Sequence, residues 1–163
     1  MPEVAASQVE ARLAEAGLTV PDVATPVAAY VPAVTSGNYV YTSGQIPVRD
    51  GKVEVTGKVS ATGEPGAVSL EEAQRQACTC ALNTLAAVKS AIGDLDRVRR
   101  VVKVTGFVSS DPGFTDQALV LNGASELYRQ AFGEAGVHSR SAVGVAVLPL
   151  DVPVEVELIV EYA

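Results

Sequence analysis

Apolar and polar positions alternate with several different periods along the chain, and each change of period marks an element. Ser7-Gln8-Val9-Glu10 has the hydroxyl-to-carboxylate spacing of a capping box. Val9, Leu13 and Ala16 then share one helical face before Gly17 stops it. Residues 18 to 27 carry Pro21 and Pro26 and read as an irregular connector. A short N-terminal helix with its connector (1–26) is therefore expected as an appendage to a single domain over 27–163.

From Ala28 to Val48 the pattern is strand-like. Tyr30, Val31 and Val34 lead into a Ser36-Gly37-Asn38 turn, and Tyr39, Val40 and Tyr41 continue beyond it. Asp50-Gly51 is a hairpin signal. Residues 56 to 68, with Gly57, Gly63, Pro65 and Gly66, read as a loop. Ser69-Leu70-Glu71-Glu72 opens a second helix, in which Leu70, Ala73, Ala77, Ala81, Val88 and Ile92 keep helical spacing up to Gly93. Val98 to Ser109 is a β-branched run ended by Asp111-Pro112-Gly113. Phe114 to about Glu134 has a helical pattern again, with Gly123 expected to weaken it by roughly 1 kcal/mol against Ala. Two strands around a proline turn follow, Arg140 to Leu148 and Pro153 to Tyr162.

This order predicts an α+β fold, a mixed sheet with two long helices on one face plus the short N-terminal helix. The strand at Val98–Ser109 lies between helices, so one crossover is expected to be parallel and right-handed. In the strand from Arg140, the valines Val143, Val145 and Val147 share a face with Ser141 and suit packing under the helices. Arg140, Ala142, Gly144 and Ala146 form the other, small-residue face, open to close approach. Glu155 and Glu157 lie opposite the apolar Val154, Val156, Leu158 and Val160.

Composition narrows the function. The 163 residues are 48% hydrophobic and 19% charged, which fits one folded domain. Twelve basic against nineteen acidic residues give a net charge of −7, and aromatics make up only 5%. Both argue against a nucleic-acid partner. No apolar run is long enough to span a bilayer, the start lacks the pattern of a secretory leader, and a cytoplasmic setting is expected. Cys78 and Cys80, two residues apart on a helix, read as ordinary small thiols, and His138 alone cannot build a metal site, so no metal is expected.

Few residues remain for chemistry. Arg140 beside Ala142 and Gly144 has room to grip a planar carboxylate in a bidentate fork, although position alone also fits a surface arginine at a strand start. Glu155 could position water as a general base, or be one of two outer-face carboxylates with Glu157. Tyr30, Ser43 and Asn122 are polar lining candidates, equally readable as turn and cap residues. Gly44-Gln45-Ile46-Pro47 is a shaped bend, not a phosphate loop. With one histidine, no Ser/His/Asp triad can form.

Two segments resemble a known family. Tyr39-Val40-Tyr41-Thr42-Ser43-Gly44-Gln45-Ile46-Pro47 resembles the strand-and-bend signature of the Rid family, the reactive intermediate deaminases, also called the YjgF family. Arg140-Ser141-Ala142-Val143-Gly144-Val145-Ala146-Val147-Leu148-Pro149, followed by Val154-Glu155-Val156-Glu157, is similar to its arginine-containing C-terminal signature. The likeness covers about residues 27 to 162, in a long, divergent branch. It implies a chorismate-mutase-like fold and a homotrimer with pockets between subunits. It also implies hydrolysis of 2-enamine/2-imino acids to 2-keto acids and ammonia, without a cofactor. On the matching positions Arg140 would bind the substrate carboxylate, Glu155 would orient or activate water, Tyr30 and Ser43 would line the pocket, and the Ala142 backbone would meet the imine end. Asn122 matches the family's helix asparagine approximately, and Ala142 stands where cysteine is frequent. A trimer that binds small carboxylates such as 2-keto acids without turnover is the alternative. An RNA-cleaving role, also attached to parts of the family, is disfavoured by the charge.

Overall fold

The computed structural model describes residues 7–26 and 28–163. Residues 1–6, part of the segment read for a secretory leader, and Val27, at the expected domain boundary, lie outside the described residues.

Helix α1 (Gln8–Glu15) starts at Ser7, whose hydroxyl accepts from the Glu10 N–H at 3.4 Å. The Glu10 carboxylate does not close the box; it pairs with Lys89 at 2.7 Å on α2 (Leu70–Ile92). Strands β1 (Ala33–Ser36) and β2 (Tyr39–Thr42) form the first hairpin. A second, between β3 (Val48–Arg49) and β4 (Lys52–Val53), turns at Asp50-Gly51, both with positive φ, as that dipeptide predicts. Helix α2 is capped by Ser69, which accepts from Glu72 N–H at 3.1 Å, and ends at Gly93. Strand β5 (Val98–Ser109) leads through α3 (Gln117–Phe132) to β6 (Ser139–Val145), and β7 (Val154–Tyr162) closes the chain.

The main sheet has the order β1-β2-β7-β5-β6, with β5 and β6 parallel and the other neighbours antiparallel. The expected parallel crossover is therefore β5-α3-β6, and β7 inserts between β2 and β5 instead of pairing with β6. Helices α2 and α3 pack on one face over a core that includes Leu85, Val88, Val104, Val108, Leu121, Tyr128, Val156 and Leu158. This is the predicted α+β architecture. Val9 and Leu13 of α1 are buried in the same core. No helix among the described residues is long and apolar enough to cross a membrane.

Two details differ from the sequence pattern. In β5 the pairing with β7 shifts register between Val98 and Arg100 and between Val101 and Lys103. The extra residues flip the alternation, so Val101, Val104 and Val108 all point inward. On β6 the two faces are exchanged. Arg140, Ala142 and Gly144 pair with Val104, Gly106 and Val108, and so lie under α3. The valine face is the open one, with Val143 46% and Val147 70% exposed. What approaches the small residues closely is the protein's own helix.

Candidate functional site

Arg140 sits on the edge strand β6, beneath the face of α3 that carries Ala118, Asn122 and Ser125 at helical spacing (i, i+4, i+7). Its Nη1 donates to Asn122 Oδ1 and to Ser125 Oγ, each at 3.0 Å, and its Nη2 donates to the Ala118 carbonyl at 3.0 Å. All three acceptors are neutral. The ion pairs among the described residues are Arg75–Glu72 and Lys89–Glu10, so Arg140 has no carboxylate partner there. A guanidinium has five N–H donors. Two of them, on Nε and Nη2, have no acceptor among the described residues, and a carboxylate's paired oxygens can take both. Behind Arg140, Ser125 Oγ meets His138 Nε2 at 2.9 Å, and His138 Nδ1 meets the Gly136 carbonyl at 2.6 Å.

Glu155 belongs to a second group. Its neighbours Val154 and Val156 are buried under the helices, so its side chain lies on the opposite, open face, beside Phe107 of β5. The bend after β2 covers it. Gln45 and Val156 exchange backbone hydrogen bonds at 2.8 and 3.1 Å, and this clips the bend to β7. Gly44 then lies directly on the Glu155 side chain, where a β-carbon would collide with the carboxylate. Any larger residue there would have to push the Glu155 side chain aside. Ser43 Oγ donates to the Val31 carbonyl at 2.6 Å and Ser43 N–H to that of Pro32 at 2.8 Å, which places the loop bearing Tyr30 next to the bend. Tyr30 itself is 55% exposed. Burial, helped by the charge of Glu157, pushes the Glu155 carboxyl above the usual carboxylate range.

Of the residues read from the sequence, the structure thus brings Arg140 to Asn122, with Ala142 beside them on β6, and gathers Ser43, the Tyr30 loop and Glu155 elsewhere. It does not bring Arg140 to Glu155. They occupy opposite faces of the sheet, at the rungs of Val104 and Phe107. Clefts of the single chain, such as the 440 Å³ groove between α2 and α3 lined by Leu18, Gln74, Cys78 and Leu127, lie away from both. Sequence reading missed Ser125 and His138. Ser125 lies one helical turn after Asn122 and His138 two residues before Arg140, but that spacing alone does not say that they meet. Burial pushes both thiols up, Cys80 strongly, which leaves them as packing groups. Among the described residues no group of His, Cys, Asp or Glu could hold a metal ion.

The sheet order and the paired helices on one face define a chorismate-mutase-like fold, which carries at its edge a strand-borne arginine without a counter-ion among the described residues. The chain belongs to the YjgF-like, or Rid-type, family. The family model described as "YjgF/chorismate_mutase-like, putative endoribonuclease" matches residues 10–162. "Protein TCP17" of Trypanosoma cruzi is 44% identical over 162 residues, 99% of this chain and 98% of that protein. The "Putative reactive intermediate deaminase TdcF" of Escherichia coli (strain K12) is 34% identical over 133 residues, 80% of this chain and 84% of that protein. Among solved structures, Atu1372 from Agrobacterium tumefaciens, described as of unknown function, has a TM-score of 0.87 at 48% identity and covers 95% of this chain and 92% of its own.

Proposed function

We propose that this protein hydrolyses small 2-imino or 2-enamine acids to 2-keto acids and ammonia, in pockets formed between the subunits of a homotrimer. The observation that carries the reading is Arg140, held by three neutral acceptors and offering two further donors to a carboxylate. The name of the TdcF relative supports the same chemistry.

The split site supports an assembly in which neighbouring copies complete each other's pockets. One protomer presents the arginine on its edge strand and the glutamate on its open face, so a copy rotated about a ring axis can bring the second group to the first. Val34, Tyr39, Tyr41 and Val143, exposed on that open face, supply apolar surface for the contact. In the assembled pocket Arg140 holds the substrate carboxylate, and Glu155 takes a proton from water as its oxygen adds to the imine carbon. Glu155 passes that proton to nitrogen, giving the neutral carbinolamine (an enamine acid first tautomerises to the imine). It then takes the hydroxyl proton as the C=O bond forms and hands it to the departing nitrogen, the C–N bond breaks, and ammonia leaves the keto acid. Imine hydrolysis is fast in water, so orientation of water and imine supplies most of what the enzyme adds.

The test generates 2-aminoacrylate from serine with a pyridoxal-phosphate dehydratase and follows pyruvate release above the uncatalysed rate. Arg140→Ala should lower kcat/KM by roughly 10-fold or more, the worth of a hydrogen bond to a charged group. Equal rates would refute the assignment. Calorimetric binding of a 2-keto acid without any turnover by the wild type would make the protein a carboxylate binder instead.

A further inference from the structure

His138 is the chain's single histidine, and the reaction above leaves it without a task. Its ring is partly buried, edge-on to Tyr128 with centroids 5.8 Å apart and planes at 88°. Donor and acceptor roles around it are fixed from both ends. The Gly136 carbonyl, 2.6 Å from Nδ1, can only accept, so Nδ1 carries the hydrogen. Arg140 can only donate, so Ser125 Oγ accepts from Nη1 at 3.0 Å. The serine's own hydrogen is left for Nε2 of the neutral ring, 2.9 Å away. A one-way chain results, from Arg140 through Ser125 and His138 to the Gly136 carbonyl. Burial lowers the ring's pKa, the Gly136 bond opposes that, and the nearby Arg140 charge lowers it further; the net direction is down, toward the neutral ring. The titratable groups facing the ring are Arg140 on β6 and Tyr128 on α3, whose hydroxyl is tied to Thr84 at 2.7 Å.

We propose that His138 is a positioning residue for the carboxylate anchor: as the Nδ1–H tautomer it takes the Ser125 hydroxyl hydrogen, and so aims a serine lone pair at Nη1 and sets the angle of the guanidinium. The proposal rests on the reading of Arg140 as that anchor. A serine hydroxyl without this acceptor is free to rotate toward its own helix carbonyls. The guanidinium then loses one of the three contacts that orient its free edge.

The experiment uses the full chain, 2-oxobutyrate as probe, calorimetry for affinity and ¹⁵N NMR of the one imidazole. In wild type the spectrum should show a protonated Nδ1 and a bare Nε2. Binding of 2-oxobutyrate should raise the ring's titration midpoint, since an anion on Arg140 favours the charged ring and the coupling is reciprocal. His138→Phe, which keeps a ring against Tyr128, should weaken Kd by roughly 3- to 10-fold with kcat little changed, and Ser125→Ala should do the same. The double variant should be no weaker than either single one, because both cut the same chain. A protonated Nε2 in the free protein, wild-type affinity in His138→Phe, or additive losses in the double variant would each overturn the proposal while a dead Arg140→Ala kept the anchor. Should His138→Phe fail to fold, wild-type affinity in Ser125→Ala overturns it alone. Absence of 2-oxobutyrate binding by the wild type would overturn the anchor, and the relay with it.

Discussion

Glu155 is where burial and chemistry meet most directly. Its carboxyl is raised by burial first and by the Glu157 charge second. A raised carboxyl is a stronger base once ionised, and it loses activity as it protonates. The acid limb of kcat/KM is therefore expected above the ordinary carboxylate range. Glu157→Gln removes the second cause and should move that limb to lower pH, as a pH–rate profile would show; an unmoved limb would mean that Glu155 is not the titrating base. The sign of the stability effect helps separate chemistry from folding. A carboxyl whose folded pKa exceeds its unfolded one adds stability below the unfolded value and gives it up as pH rises through the folded one. At neutral pH the ionised Glu155 therefore weakens the fold, and Glu155→Gln should lose activity while melting no earlier than wild type. Arg140 and Glu155 stood out in the sequence as charged side chains at a strand start and opposite an apolar strand face, but position alone left both readable as surface groups, and their roles came from the family resemblance. Ser125 and His138 did not stand out, since a hydroxyl on a helix and an imidazole in a connector acquire direction only when a donor-only and an acceptor-only group flank them in space.

At the level of elements, the alternation of a strand tells which residues share a face but not which face receives the helix. That is why the faces of β6 exchanged. Branched valines fit either side, whereas Gly106 and Gly144 leave the room that Leu121 and Gln117 of α3 occupy. Gly123 shows the same physics between helices. By propensity it is a weak point of α3, but a β-carbon there would collide with the Gln74 carbonyl of α2, so glycine sets the approach of the two helices. The shifts in β5 also escaped the pattern, because a bulge is written in pairing and not in composition. Helix α1 was legible as a helix; its docking was not. Its anchor is Asp96, in the turn before β5, whose carboxylate accepts from Ser7 Oγ and from the Gln8 and Val9 N–H groups at 2.8–2.9 Å. A distant side chain thus caps the first turn and meets the positive end of the helix. Burial pushes the Asp96 carboxyl up, but these bonds and the Arg12 charge outweigh it, and the net direction is down. Such a group adds stability above its unfolded pKa and loses it as pH falls through the lowered value. Asp96→Asn should therefore cost about 1 kcal/mol near neutral pH and narrow the gap to wild type in acid, read by denaturant unfolding at both pH values. A gap independent of pH would mean that the charge does not hold α1.

For the whole molecule, the decisive feature is that one chain carries Arg140 and Glu155 on opposite faces of its sheet. If the pockets lie between subunits, each takes Arg140 from one protomer and Glu155 from its neighbour. Homotrimers of Arg140→Ala lack every anchor, and homotrimers of Glu155→Gln lack every base, so both should be inactive. A mixed ring differs. Wherever a Glu155→Gln chain lends its intact arginine to an Arg140→Ala chain with an intact glutamate, a complete pocket forms, and a two-to-one ring has one such junction. Each mixed ring holds about one intact pocket in three, so rings that carry both variants should recover about a third of wild-type activity. The variants are co-expressed with different tags, purified through both, and assayed for keto-acid release beside the unmixed parents, with trimer mass checked by sedimentation. Mixed trimers as dead as their parents would mean that each pocket draws both groups from one chain. The opposite faces on which β6 and β7 place the two residues stand against that outcome.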